Sequence, residues 1–129
     1  MILGMGTDLI DVRRIERALA RFGHRFAQRV LVDEEYRRYC SHVKPAHYVA
    51  KRFAAKEAFS KAMGTGIRFP VNWHNVSVAN ERSGKPFLKF SEPLAALLAE
   101  RGVTRTHLSL TDEVEMACAF VILEGEPRA

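Results

Sequence analysis

A single α+β domain covering residues 1–129, with helices packed on a mostly antiparallel sheet, is what this sequence predicts. Three observations lead there. Apolar residues recur at helical spacing through residues 12–63; short alternating or continuous apolar runs follow a turn-rich stretch after residue 67; and no repeat, linker or low-complexity tract divides the chain. With 129 residues, 47% of them hydrophobic, the chain can bury one core with little to spare.

Residues 1–9 (MILGMGTDL) read as a strand. Alternation places Ile2, Gly4, Gly6 and Asp8 on one face and Leu3, Met5, Thr7 and Leu9 on the other. Two glycines weaken a strand, a cost that makes sense if something packs against the backbone there. Asp11 then stands where it can cap a helix whose apolar residues Val12, Ile15, Leu19 and Phe22 recur at spacings of three and four. The opposite side is basic. Arg14, Arg17 and Arg21 form a ridge flanked by Arg13, and Arg25 and Arg29 extend the positive run past Gly23, with Glu16 alone diluting it. Such a ridge suits an acidic helix or a phosphate backbone better than solubility alone requires. Residues 31–40 carry a second helix signal, with Asp33 as cap and Glu34 and Glu35 in the first turn. A polar connection at 41–44 follows, and His42 and His47, without partners at useful spacing, read as surface residues.

The next helix runs from Pro45, acceptable in a first turn, to Met63. Its second half, RFAAKEAFSKAM, is rich in helix-favouring alanine and places Phe53, Glu57 and Lys61 on one side, so an ion pair between Glu57 and Lys61 is expected. Apolar neighbours border that side, and a carboxylate there needs a cation. Gly64 and Gly66 bracket Thr65 and allow a left-handed exit and close approach of backbone N–H groups to an anion. Because a helix C-terminus repels anions, a phosphate here has to be held by Lys56, Lys61 or a metal. The order of residues is not that of a nucleotide P-loop.

Beyond Pro70 the pattern turns to strands. Residues 75–79 and 87–90 form a hairpin about the polar turn 81–84, with Trp73 read as core or edge packing. Pro93 opens a short helix that buries Leu94, Leu97 and Leu98 and ends at Gly102. Residues 106–112 put His107, Ser109 and Thr111 on one face and Leu108 and Leu110 on the other. Residues 116–123 are nearly all apolar and so are central or face a second layer, paired antiparallel with 106–112 through a short turn. The tail 124–129 reads as polar and loose.

A charge of +5 and a pI near 9.6 suit an acidic partner. Cys40 and Cys118 are too far apart for a metal-binding or redox pair and read as reduced, buried thiols. With no run of eighteen apolar residues and no signal-peptide pattern at the N-terminus, a soluble cytoplasmic protein with no membrane partner is expected.

Chemistry then falls to few residues. Asp8 and Glu57 are candidates for a paired carboxylate site, and oxygen ligands without nearby cysteine favour Mg²⁺ over Zn²⁺. Water and phosphate oxygens would complete its shell. Lys61, one turn from Glu57, is placed to neutralise charge on a phosphorus centre or to protonate a leaving oxygen.

Four stretches, MGTDLIDVRRIE, KRFAAKEAFSKAMGTGI, NERSGKPFL and HLSLTDEVEMACAFVI, together resemble the holo-[acyl-carrier-protein] synthase family over nearly the whole chain. The early GxD with KEAxxKAxGxG is specific to phosphopantetheinyl transferases, and the length is that of the short single-domain branch. The resemblance implies the 4'-phosphopantetheinyl transferase fold and transfer of 4'-phosphopantetheine from coenzyme A to a serine of apo acyl carrier protein, with release of adenosine 3',5'-bisphosphate, in support of fatty acid biosynthesis. It implies Asp8 and Glu57 as Mg²⁺ ligands, and Lys61 beside the reacting phosphate as an acid toward the leaving group. It further implies His107 near the nucleotide part of coenzyme A, Arg52, Gly64 and Gly66 along the coenzyme side, and Arg14, with Arg17 and Arg21, toward the acidic carrier. A homotrimer with clefts between subunits is also implied, and agrees with a terminal strand apolar on both faces. The alternative is a basic nucleic-acid-binding module. It would use the same arginines but would usually add exposed aromatics or a recognition loop and leave Glu57 without a purpose, so no nucleic-acid partner is expected.

Overall fold

In a computed structural model, which describes residues 1–128, the chain runs β1 (Ile2–Asp11), α1 (Val12–Phe22), α2 (His24–Val30), α3 (Asp33–Cys40), α4 (Pro45–Met63), β2 (Val76–Asn80), β3 (Pro86–Phe90), α5 (Glu92–Glu100), β4 (Val103–Asp112) and β5 (Met116–Gly125). The fold is α+β as expected. β5 is the centre of a three-stranded antiparallel sheet in the order β1-β5-β4, and β2 with β3 forms a separate two-stranded sheet.

The helix α4 lies across the inner face of the larger sheet, and the sequence explains why it can come so close. Ala54, Ala55, Ala58 and Ala62 are all buried, and on β1 the facing positions are Gly4 and Gly6. A Cβ on Gly4 would stand 2.2 Å from Ala62 O and one on Gly6 2.0 Å from Ala58 O, so both glycines are there because helix backbone occupies the space. Ala117, Ala119, Val121 and Leu123 of β5 complete the core against the same helix. Ile2, expected inward with these glycines, is exposed, because the register slips between Ile2 and Gly4.

The other face of the sheet has no covering layer among the described residues. Met5 and Leu9 on β1 and Phe120 on β5 are 59%, 64% and 40% exposed, with half-buried Cys118 and Ile122 between them.

Several expectations need correcting. Residues 24–30, read only as a continuation of the basic run, form α2 after the chain turns at Gly23, where the Phe26 N–H donates to Gly23 O. The cap position of α3 is Val32 rather than Asp33, and Glu35 Oε1 accepts from the Val32 N–H at 3.0 Å. The tail is not loose at its start: β5 continues to Gly125, whose N–H donates to Met1 O, and the Glu126 N–H donates to Gly102 O. The thiols are free, but Cys40 is exposed at the end of α3 and Cys118 half-buried on the outer sheet face. The cap at Asp11 is as expected, its Oδ1 accepting from the Arg13 N–H at 2.9 Å.

Candidate functional site

Because the two glycines let β1 and α4 touch, Asp8 near the end of the strand meets the last turns of the helix. Lys61 Nζ donates to Asp8 Oδ1 at 3.1 Å and to Thr7 O at 3.0 Å. This replaces the expected pairing of Lys61 with Glu57: the described residues contain no ion pair between those two side chains. Asp8 is nearly enclosed, at 16% exposure, while Lys61 remains open to solvent. Glu57 is half-buried, and its pKa is raised above the ordinary 4.5, first by burial and next by the negative charge of Asp8; Lys61 and Arg14 oppose the rise. The fold thus holds two carboxylates close enough to repel, with one cation bonded to only one of them.

Such a site suits a divalent cation with oxygen ligands. Burial and the Asp8 charge destabilise the Glu57 carboxylate in its absence, and the described residues contain no group of three or more His, Cys, Asp or Glu that would offer a closed metal site. Two protein oxygens leave most of the coordination shell to water and phosphate, which is the Mg²⁺ pattern.

Other expected residues lie elsewhere. Lys56, read above as a possible phosphate ligand, is sealed in the core and donates to Val30 O, Glu35 Oε1 and Trp73 O. The glycine loop offers no free anion cradle either. Gly64 and Gly66 have φ of 75° and 65°, but the Gly64 N–H donates to Lys61 O, and those of Thr65 and Gly66 donate to Ser60 O. His107 stands on the outer sheet face, where Nε2 bonds Glu124 Oε1 at 2.9 Å; this bond is the main reason the Glu124 carboxyl sits below its ordinary pKa.

Arg52 opens into a different place. It is 6% exposed, with its guanidinium carbon 3.9 Å from the Tyr48 ring centroid, and it borders a cavity of about 510 Å³ also lined by Arg38, His42, Lys51 and Asn80. Arg52 Nε and Tyr48 Oη are buried there without a hydrogen-bond partner. Burial lowers the Arg52 pKa and raises that of Tyr48. This basic pocket is what sequence reasoning missed. Its residues come from α3, the 41–44 connection, α4, the β2–β3 hairpin and β4, whose Asp112 lies 3.7 Å from Lys51, and no spacing joins them. Arg52 and Glu57, five residues apart, stand about 140° from one another around the axis of α4.

The basic ridge is present as expected: Arg14, Arg17 and Arg21 are exposed on α1, and Arg25 and Arg29 continue it on α2. Arg14 lies 5.7 Å from the Phe53 ring centroid, and its charge reaches Glu57, so the ridge begins beside the acid pair. Phe22, Arg25, Phe26 and Arg29 border a second cavity of about 440 Å³ at its far end.

Comparison with known proteins gives one family. The sequence profile described as the 4'-phosphopantetheinyl transferase superfamily matches residues 4–119. The chain is 54% identical over 124 residues to the holo-[acyl-carrier-protein] synthase of Nitrosomonas europaea, covering 96% of this chain and 99% of that protein. Among solved structures, the synthase of Neisseria meningitidis superposes with a TM-score of 0.93 at 44% identity, covering 96% and 99% of the two chains. That of Bacillus anthracis, in complex with CoA (3',5'-ADP), gives 0.81 at 37% identity and covers 98% and 99%.

Proposed function

The chain belongs to the 4'-phosphopantetheinyl transferase superfamily, among its holo-[acyl-carrier-protein] synthases, and on that premise we propose that its reaction is the Mg²⁺-dependent transfer of 4'-phosphopantetheine from coenzyme A to a serine of apo acyl carrier protein, releasing adenosine 3',5'-bisphosphate in support of fatty acid biosynthesis. The observation that carries the reading is the meeting of Asp8 from β1 with Glu57 and Lys61 from α4, two carboxylates and an exposed ammonium held together by backbone contact at Gly4 and Gly6.

Asp8 and Glu57 would hold Mg²⁺, which when bound supplies positive charge to the coenzyme A pyrophosphate and to the transition state. The carrier serine Oγ forms a bond to the β-phosphorus as the bond from that phosphorus to the bridging oxygen breaks, and the serine proton leaves to water. Lys61 Nζ, exposed and already donating toward Asp8, is placed to give a proton to the departing oxygen. The exposed arginines of α1, beginning with Arg14 beside Glu57, receive the acidic carrier so that its serine arrives next to the pyrophosphate.

Coenzyme A is long and carries phosphate at both ends of its nucleotide. The basic pocket around Arg52 suits the terminal phosphate, since its buried Nε and the Tyr48 hydroxyl lack partners. That pocket opens on a different side of α4 from Glu57, so we assign the two ends of one coenzyme to two subunits. The uncovered apolar sheet face bearing Met5, Leu9 and Phe120 gives those subunits a surface to share, in a homotrimer with His107 near the cleft. Gly64 and Gly66 shape the turn beside the pyrophosphate rather than binding it.

The test is mass analysis of apo acyl carrier protein after incubation with coenzyme A and Mg²⁺, beside a gel shift with random nucleic acid. Gain of one phosphopantetheine group is expected. An unmodified carrier together with a retarded nucleic acid would replace this reading by the nucleic-acid one. Loss of turnover on dilution below the trimer's dissociation supports the shared cleft, and a fully active monomer would remove it.

A further inference from the structure

Lys56 has no solvent exposure, and its three ammonium hydrogens go to three separate parts of the chain. Nζ donates to Val30 O at the end of α2 (2.6 Å), to Glu35 Oε1 on α3 (2.7 Å) and to Trp73 O in the segment leading to β2 (2.7 Å). Glu35, 2% exposed, carries the network further: besides the Val32 N–H it accepts the Val78 N–H of β2 at 2.9 Å through Oε2. Every strong donor and acceptor of the pair is used. A buried ion pair is poor evidence of added stability, because apolar residues of similar volume often serve as well, whereas its directional bonds fix one arrangement of the parts it joins.

The parts it joins are those beneath the basic ridge. α2 carries Arg25 and Arg29. The Trp73 ring stacks on Phe53, with centroids 5.0 Å apart, and Phe53 is the ring against which Arg14 lies. His74, next to Trp73, bonds Gln28 O of α2 through Nε2 at 2.7 Å, so the segment anchored by Lys56 grips α2 twice. Lys61, by contrast, lies about 140° around α4 from Lys56, on the side that meets β1.

We propose that the Lys56–Glu35 pair is a positioning element for the carrier protein: it sets α2 and residues 73–78 against α4 and thereby fixes where Arg14, Arg25 and Arg29 stand relative to Asp8 and Glu57. The inference rests on the carrier-docking reading given above. It separates two neighbours in the sequence, giving Lys56 the placement of the protein substrate and Glu57 the chemistry.

Lys56→Met and Glu35→Gln test it, with circular dichroism as the folding control. Glu35→Gln keeps an oxygen for Lys56 and Val32 and carries the test where Lys56→Met does not fold. KM for the carrier should rise about tenfold while KM for coenzyme A stays within about twofold. Hydrogen exchange should quicken at the amides of residues 24–31 and 73–78 and stay as in the parent in β1 and β5. Equal rises in both KM values, unchanged exchange in those two segments, or acceleration spread evenly through β1 and β5 would each overturn the proposal. If Arg14→Glu leaves the carrier KM unchanged, the docking reading itself fails, and the exchange pattern alone then decides whether the pair fixes α2.

Discussion

Lys56 and Glu57 are neighbours on one helix and meet opposite fates. Lys56 is wholly enclosed with three acceptors at 2.6 to 2.7 Å. Glu57 is left half-open beside another carboxylate, with a pKa pushed up by burial and by Asp8. A buried charge whose bonds are all made has nothing left to offer a ligand. A charge held near its like, without a bonded cation, has electrostatic energy to gain from one. The difference teaches that in this molecule satisfaction marks scaffold and frustration marks site, even one residue apart.

The comparison breaks first, and most heavily, at Lys56. Lys56→Met strands the Glu35 carboxylate and two carbonyls in the core and should cost about 3–5 kcal/mol of stability, measured by urea unfolding. A loss within the range of a surface substitution would show that the pair is not the scaffold described. Next in size are Asp8→Asn and Glu57→Gln, each expected to lower turnover by about 10²-fold or more at saturating Mg²⁺, with no loss of melting temperature. Near-parental turnover in either variant would take that residue out of the metal site. Arg14→Glu should raise KM for the carrier by about tenfold and move KM for coenzyme A less. Because it also removes a cation acting on Glu57, it should raise the Glu57 pKa further.

The smallest effect sharpens the same contrast through pH. Folding raises the Glu57 pKa, so the native state holds that proton more tightly than the unfolded one. Its contribution to stability is present at low pH and is lost as pH rises through the raised value. Without metal, Glu57→Gln should therefore melt higher than the parent at neutral pH, and the gap should close on acidification, as differential scanning calorimetry across about pH 4 to 7 would show. Mg²⁺ requires the ionised form, so its binding in the presence of coenzyme A should strengthen over the same rise in pH. A parent that melts as high as the variant at neutral pH would mean the two carboxylates do not strain one another.

The same pair marks where the sequence was legible. Asp8, Glu57 and Lys61 could be found because the glycines at Gly4 and Gly6 announce a close neighbour and the helical period aligns Glu57 with Lys61. The actual Lys61 bond crosses to β1, which no one-dimensional period reveals. Lys56 is not legible in the sequence because α4 is buried on almost every side, so a helical wheel offers no polar face from which to judge one lysine. Its partner Glu35 reads as an ordinary acid of a first helical turn. α2 leaves little trace in the sequence because seven residues with no side-chain cap and two arginines show little period. The basic pocket joins residues whose only relation is tertiary, although the strand order of β4 and β5 was plain from one alternating and one continuous apolar run.

The backbone contact at Gly4 and Gly6 also limits how the protein can vary. What a methyl group would strike at either position is a carbonyl oxygen of α4, present whatever side chain the helix carries. No compensating substitution at Ala58 or Ala62 can therefore make room, and neither glycine has an accessible one-step neighbour in sequence space that keeps the Asp8 to Glu57 spacing. The basic ridge consists of exposed side chains that can change one at a time, while the acid pair depends on two glycines whose neighbours are helix backbone.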